Sequence, residues 1–178
     1  RKIHEQMIKK LAYYDLLTGL PNKLVLKEST DRAVQESLKK GESGILVLID
    51  IDNFKLLNDS YGHYYGDLLL IELSNMLISI FDSPCMVSRT GGDEFAVLIP
   101  SVNSEELIKE CVDKIMSVFS KTFNVDDNVF YITASMGIAF FPDDSKDFDV
   151  LLKNADTAMN YAKKLGKSSY MIYTKRLN

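Results

Sequence analysis

The sequence predicts an α/β (α+β) fold, a central sheet flanked by helices, and three observations carry that reading. Ile45-Leu46-Val47-Leu48-Ile49 and Phe95-Ala96-Val97-Leu98-Ile99 are apolar at every position, as expected of strands covered on both faces. Several other stretches repeat apolar residues every three or four positions, the pattern of helices that bury a single stripe. Acidic residues stand at strand ends, with Asp50 closing the first apolar run and Asp93-Glu94 opening the second. Ligand sites of open sheets gather at such ends.

The elements follow in order. Residues 1–14 carry Ile3, Met7, Leu11 and Tyr14 with Lys and Glu between them, an amphipathic helix that either packs on its own domain or ends a helical connector. Gly19 and Pro21 make Leu17 to Asn22 a turn. Lys23 to Lys40 reads as a surface helix ending near Gly41. After the strand at Ile45–Ile49 comes a short helix, Phe54 to Tyr61, then a break at Gly62-His63-Tyr64-Tyr65-Gly66. A second helix places Leu69, Leu73, Met76, Leu77 and Ile80 on one stripe. Cys85 to Ser88 is a short strand, and the paired glycines Gly91-Gly92 turn it back into the run from Phe95. Leu107, Ile108, Cys111, Val112, Ile115 and Phe119 mark another helix. Val125 to Val129 is a hairpin turn, Phe130 to Phe140 a long strand, Leu151 to Ala162 the last helix, and Tyr170 to Tyr173 a final edge strand.

Composition narrows the function. A chain of 178 residues suits one well-cored domain, and 46% hydrophobic with 26% charged residues is ordinary for a globular protein. A net charge of −4 argues against a nucleic-acid-binding surface. No stretch approaches the roughly 20 apolar residues of a membrane span. The cysteines, Cys85 and Cys111, lack metal-site spacing and read as buried free thiols in a reducing compartment.

The chemistry lies in the acids and their neighbours. Adjacent carboxylates at a glycine turn repel unless a cation sits beside them, and an acid ending an apolar strand needs a partner. If Asp50 and Asp93 converge, they form an oxygen-rich site for a hard cation such as Mg²⁺ and, through it, a phosphate. Asp52 fits an N-cap for the helix at Phe54. Asn53, Phe54 and Lys55 occupy a helix start, where free amides and a lysine suit phosphate, although Lys55 also reads as a solvated surface residue. Asn58 and Asp67 flank the break and serve either as helix caps or as a pair that reads a purine edge. Lys163 and Lys167, four apart, either balance a helix C-terminus or face one phosphate tail together.

These pieces, in this order, resemble the GGDEF domain of the diguanylate cyclase family over nearly the whole chain. The matching segments are Asp15 to Asn22, Asp50 to Lys55, Asn58-Asp59 with Gly62-His63 and Gly66-Asp67, Arg89 to Phe95, Ser135 to Ala139, and Ala155-Asp156 with Ala162-Lys163 and Gly166. The resemblance implies a palm-like, adenylyl-cyclase-like sheet, mainly antiparallel, with the GGDEF hairpin at the active site. Residues 1–14 are then a connector helix and residues 15–178 the domain.

It also implies a nucleotidyltransferase that condenses two GTP into cyclic di-GMP, a bacterial second messenger, across a homodimer. Mg²⁺ (or Mn²⁺) is held by Asp50, the Ile51 carbonyl, Asp93 and Glu94. Asp93, Glu94 and Lys55 act in catalysis. Asn53, Phe54, Lys163 and Lys167 contact phosphates, Asn58 and Asp67 contact guanine, and His63 lies near the ribose or is structural. The alternative is a catalytically silent GTP-binding module. An upstream sensor, a downstream phosphodiesterase domain and a membrane anchor elsewhere in a longer cytoplasmic-facing protein are compatible with either. Asp82-Ser83-Pro84-Cys85 replaces the family's inhibitory Arg-x-x-Asp element, so no product site of that type is expected. Asn160 and Lys167-Ser168 stand where Tyr and Arg-Asn are usual, and Lys lacks the bidentate fork of Arg.

Overall fold

The run beginning at Ile45 forms the centre of the sheet. The computed structural model describes residues 1–178. Its helices are α1 (Lys2–Tyr13), α2 (Lys23–Lys40), α3 (Phe54–Tyr61), α4 (His63–Ile80), α5 (Glu105–Phe119) and α6 (Phe148–Lys164). Its strands are β1 (Ser43–Ile51), β2 (Met86–Gly91), β3 (Glu94–Val102), β4 (Phe123–Val125), β5 (Asn128–Phe130), β6 (Ala134–Phe141) and β7 (Tyr170–Ile172). A five-stranded sheet runs in the order β2-β3-β1-β6-β7, and β4-β5 form a separate ribbon. All pairings in the main sheet are antiparallel except β6 with β7, so the sheet is mixed.

Burial on both faces explains the unbroken apolar strands. Ile45, Val47, Ile49 and Ile51 join Phe95, Val97 and Ile99 in a core closed by Leu69, Leu73 and Leu77 of α4 and Ile108, Val112 and Ile115 of α5. The alternate residues Leu46, Leu48, Ala96 and Leu98 meet Leu26 and Val34 of α2 and Leu151, Ala155 and Met159 of α6. Each fully buried Leu or Ile of β1 stabilises the fold by about 1.5–3 kcal/mol. Helix ends follow the local code. Asn22, Ser104 and Asp147 accept the N–H of Val25, Leu107 and Val150, and Gly41 ends α2 at φ 66°.

Three expectations change. The break between α3 and α4 is Gly62 alone, at φ 97°, and Gly66 lies inside α4. There it lets the two helices meet, since a Cβ at Gly66 would stand 1.8 Å from Asn58 Oδ1. The long strand from Phe130 is divided. Residues 128–130 pair with β4, and the chain crosses through residues 131–133 before β6 begins at Ala134. Periodicity reports which residues are buried but not which sheet they pair with. Helix α6 ends at Lys164, so Lys167 lies in the following turn at φ 63° and not one turn above Lys163 on the same helix. The stripe on α1 is exposed, with Ile3, Met7 and Leu11 on the surface and no residue of the helix buried. No helix is long and apolar enough to cross a membrane.

Helix α6 lies unusually close to the sheet at Gly137, which pairs with Leu48. A Cβ there would fall 1.9 Å from the Ala155 carbonyl oxygen and 2.5 Å from the Met159 nitrogen. Both are backbone atoms that a rotamer change cannot move. Gly137→Ala is expected to lower the unfolding free energy by about 3 kcal/mol, read as a lower urea midpoint; an unchanged midpoint would show that α6 is not seated on this glycine.

Candidate active site

The acids meet because of strand register. Asp50 is opposite Glu94 on β3 and opposite Ser135 on β6. Directly opposed residues share a face of the sheet, so Asp50 and Glu94 both face α6, on the side of Leu46 and Leu48. The Ile51 amide donates to the Asp93 carbonyl oxygen at 3.3 Å, which draws the turn residue Asp93 to the end of β1. The Asp50 and Asp93 carboxyl groups are near enough for the charge of Asp50 to act on Asp93. The convergence posed by the sequence therefore occurs.

Electrostatics record the crowding. Burial and the charge of Asp50 push the Asp93 carboxyl up to about 6. Burial likewise raises Glu94, reinforced by Asp156 of α6 and by Asp50. Lys163 Nζ donates to Asp50 Oδ2. Burial acts against the Lys163 charge, but Asp50, Asp93 and Asp52 outweigh it and hold the ammonium above its ordinary value. Lys167 Nζ donates to Asn53 Oδ1 at 2.7 Å.

Asp52 does not cap α3. Its buried carboxylate accepts from Thr133 Oγ1 at 2.6 Å, Ser135 Oγ at 2.7 Å and the Ser168 amide at 3.0 Å. It joins the end of β1 to the start of β6 and to the turn after α6. The residue preceding α3 is Asn53, at φ 60° and with no side-chain cap bond. Lys55 is exposed in the first turn of that helix, His63 is exposed at the start of α4, and Asp67 is exposed next to Gly66. Asn58 Oδ1, pressed against Gly66, is buried without a hydrogen-bond partner. The α3–α4 contact thus brings Asn58 beside the residue adjoining Asp67, while His63 is drawn to no other site residue by a side-chain bond. A cavity of about 450 Å³ lies beside Asp52 and Asn53, walled by Leu57, Tyr61, Phe130 and Thr133, but neither Asp50 nor Asp93 lines it.

A brace at the hairpin tip went unassigned in the sequence. Arg89 donates through Nε and Nη2 to the Gly92 carbonyl oxygen at 3.0 and 2.7 Å, and through Nη1 to both Asp15 oxygens at 3.0 Å. Its amide donates to the Pro21 carbonyl oxygen at 3.1 Å. Asp15 also accepts from the Thr18 amide and hydroxyl at 2.9 and 2.7 Å. Burial would raise Asp15, yet the Thr18 and Arg89 bonds prevail and hold it below the usual carboxylate range. The turn before α2 is therefore part of the scaffold of the glycine turn. Asp15 and Arg89 are 74 residues apart, a separation that leaves no local pattern. Asp156 was legible in principle, since it precedes Lys163 by two helical turns on one face of α6.

The donor set suits a divalent cation. No three His, Cys, Asp or Glu side chains are grouped as a metal cage, but two neighbouring carboxylates match the way Mg²⁺ is bound, through one or two carboxylates with the remaining positions left to water and phosphate.

Residues 12–169 match the family model described as diguanylate cyclase, GGDEF domain. The chain belongs to the GGDEF domain family. It is 33% identical over 168 residues to the bifunctional diguanylate cyclase/cyclic di-GMP phosphodiesterase MucR of Pseudomonas aeruginosa, covering 94% of this chain and 24% of MucR. It is 33% identical over 174 residues to the cyclic di-GMP phosphodiesterase PdeR of Escherichia coli, covering 98% of this chain and 26% of PdeR. The GGDEF chain thus spans about a quarter of the length of these relatives. A truncated YfiN from Pseudomonas aeruginosa comprising only its GGDEF domain superimposes with a TM-score of 0.88 at 29% identity, over 93% of this chain and 96% of that one.

The Asp93 shift has a thermodynamic consequence in the metal-free GGDEF chain. An unfolded Asp releases its proton near 3.8, and the folded one near 6. The folded state therefore binds the extra proton between these values, and the stability this supplies at low pH is lost as pH rises through about 6. Asp93→Asn is expected to stabilise the chain by about 1 kcal/mol at pH 7.5, the figure discounted for solvent screening of a half-buried group. The gain should vanish below about pH 4. Chemical denaturation in a chelator at the two pH values measures it, and a gain equal at both would exclude carboxylate crowding as its source.

Proposed function

We propose that this GGDEF chain is a diguanylate cyclase that condenses two GTP molecules into cyclic di-GMP with release of pyrophosphate. The observation that carries the reading is the convergence of Asp50 and Asp93 at the end of β1, with Lys163 bonded to Asp50 and Lys167 to Asn53 before α3. Asp50, Asp93 and the Ile51 carbonyl would hold Mg²⁺ or Mn²⁺, with Glu94 either at a second ion or taking the proton of the attacking hydroxyl. The bound ions would lower the pKa of the ribose 3′-hydroxyl and neutralise charge on the pyrophosphate.

The chain's own residues do the rest. The amides of Asn53 and Phe54 at the start of α3, with Lys55, seat the phosphates. Lys163 and Lys167 stabilise the triphosphate charge from the opposite side. Asn58 and Asp67 take the guanine edge; the partnerless buried Asn58 oxygen supports this, because an unmade bond there costs about 1–3 kcal/mol unless a ligand supplies it. His63 lies toward the ribose. Each protomer holds one GTP, and two face each other so that each 3′-oxygen attacks the other's α-phosphorus. Residues 1–14 would connect residues 15–178 to a sensor upstream, and the name of MucR supports a phosphodiesterase domain downstream. In such a protein the domain would work in the cytoplasm with no nucleic-acid partner, whether or not a membrane anchor lies elsewhere.

The name of PdeR favours a second reading, a GTP-binding regulatory module without turnover. Retention of Asp50, Asp93 and Glu94 supports the first. Incubation of the concentrated chain with GTP and Mg²⁺, followed by chromatography, decides between them. Cyclic di-GMP is expected from the native chain, with a rate reduced about 100- to 1,000-fold or more in Asp93→Ala. Added cyclic di-GMP should not slow the reaction through Asp82–Cys85. GTP binding without product, even from chains dimerised through a fused coiled coil, would establish the silent module.

A further inference from the structure

Lys163 in the last turn of α6 and Lys167 in the turn after it are both bonded to acceptors across the site. Lys163 Nζ donates to Asp50 Oδ2 and lies in the fields of Asp93 and Asp52, and Lys167 Nζ donates to Asn53 Oδ1 at 2.7 Å. Under the cyclase reading, on which this inference rests, Asp50 is a metal ligand and Asn53 begins the phosphate seat. An ammonium bonded to Asp50 and a divalent cation ligated by Asp50 compete for the same lone pairs and the same negative potential. We propose that Lys163 is the internal counter-cation of the carboxylate pair, that it restricts access of free divalent metal to Asp50 and Asp93, and that a nucleotide relieves this by drawing the ammonium onto its phosphates.

The geometry permits the exchange. Lys163 is in the last turn of α6, which ends at Lys164, and its side chain is 30% exposed against 12% for Asp50. The flexible four-carbon stem therefore moves the charge without moving the helix, which is fixed on Gly137. The carboxylates cannot move in the same way. Asp50 lies within β1, between β3 and β6, and the turn holding Asp93 is tied by Arg89 to Asp15. Removing the ammonium leaves two apposed carboxylates whose repulsion, above the pH at which Asp93 takes up a proton, another cation relieves. Metal and nucleotide then load together: the nucleotide raises metal affinity both by adding phosphate oxygens and by releasing Lys163. Coupling of this kind is reciprocal, so the metal raises nucleotide affinity by the same factor. Lys167 differs because its acceptor is a neutral amide oxygen.

The test is a Mn²⁺ titration of the purified chain, free Mn²⁺ being read by electron paramagnetic resonance, with and without a non-hydrolysable GTP analogue. Lys163→Met keeps the stem and removes the charge. It is expected to bind Mn²⁺ about tenfold or more tightly than the native chain when no nucleotide is present. The enhancement of Mn²⁺ binding by the analogue should shrink in the same variant. Lys164→Met, at the exposed lysine next in sequence, should leave nucleotide-free Mn²⁺ affinity within about twofold of native, and Asp50→Asn should abolish the binding in every background. Melting curves of each variant verify folding. Mn²⁺ binding that depends on Asp50 but is no tighter in Lys163→Met overturns the counter-cation role and leaves the cyclase reading standing. Failure of the native chain and of Lys163→Met to bind Mn²⁺ even with the analogue overturns both.

Discussion

The register of β1 against β3 and β6 is the constraint on which the rest depends. With Asp50 opposite Glu94 and Ser135, the acids share one face of the sheet, and that face belongs to α6. A slip of one residue would turn Asp50 toward the α4–α5 core and expose the alternate hydrophobic set. The apolar strands on both sides forbid it, because each parity of β1 is already committed to its own core. The packing that makes the fold stable is therefore also what aims the carboxylates. Gly137 adds the second requirement, bringing α6 near enough for Lys163 to reach Asp50.

The site is held under electrostatic and conformational cost. Asp93 and Glu94 are both raised by burial and by neighbouring acids, so the folded chain retains charge that the unfolded chain would disperse. Lys167 and Ser168 have left-handed backbone at φ 63° and 46°, conformations that residues other than Gly, Asn and Asp adopt at some expense. What offsets these costs lies around the carboxylates and not among them. Asp52 takes three hydrogen bonds that fix β6 and the turn after α6, and Arg89 joins the glycine turn to Asp15. Strain concentrated at a site and compensated by its surroundings is common where function dictates local geometry.

How much the sequence revealed depends on whether the cause was local. The central strands, the limits of α2 and α3 and the glycine hairpin were legible because periodicity, caps and turn residues act within a few positions. The nearness of Asp50 to Asp93 was legible as a condition, since both close or open apolar strands. The role of Asp52 was misread: Asp before Asn-Phe-Lys satisfies the N-cap pattern, and nothing local reveals that Thr133 and Ser135 compete for the same oxygens. The division of the chain after Phe130 was hidden for a similar reason. Helical spacing puts Lys163 and Lys167 on one face of α6, but the helix ends at Lys164, and the two side chains reach Asp50 and Asn53 from different elements. The placement of Asn58 against Gly66 required the α3–α4 contact, which no spacing encodes.

Cyclase chemistry in this chain requires Asp50 and Asp93 to form one cation site shared with a nucleotide's phosphates. The direct measurement is an anomalous difference map from crystals of the chain grown with Mn²⁺ and a non-hydrolysable GTP analogue. A Mn²⁺ peak in contact with the Asp50 and Asp93 carboxylates and the analogue's phosphates is the predicted result. Phosphates seated at α3 with no ion at those carboxylates, or Mn²⁺ bound elsewhere on the chain, would contradict it.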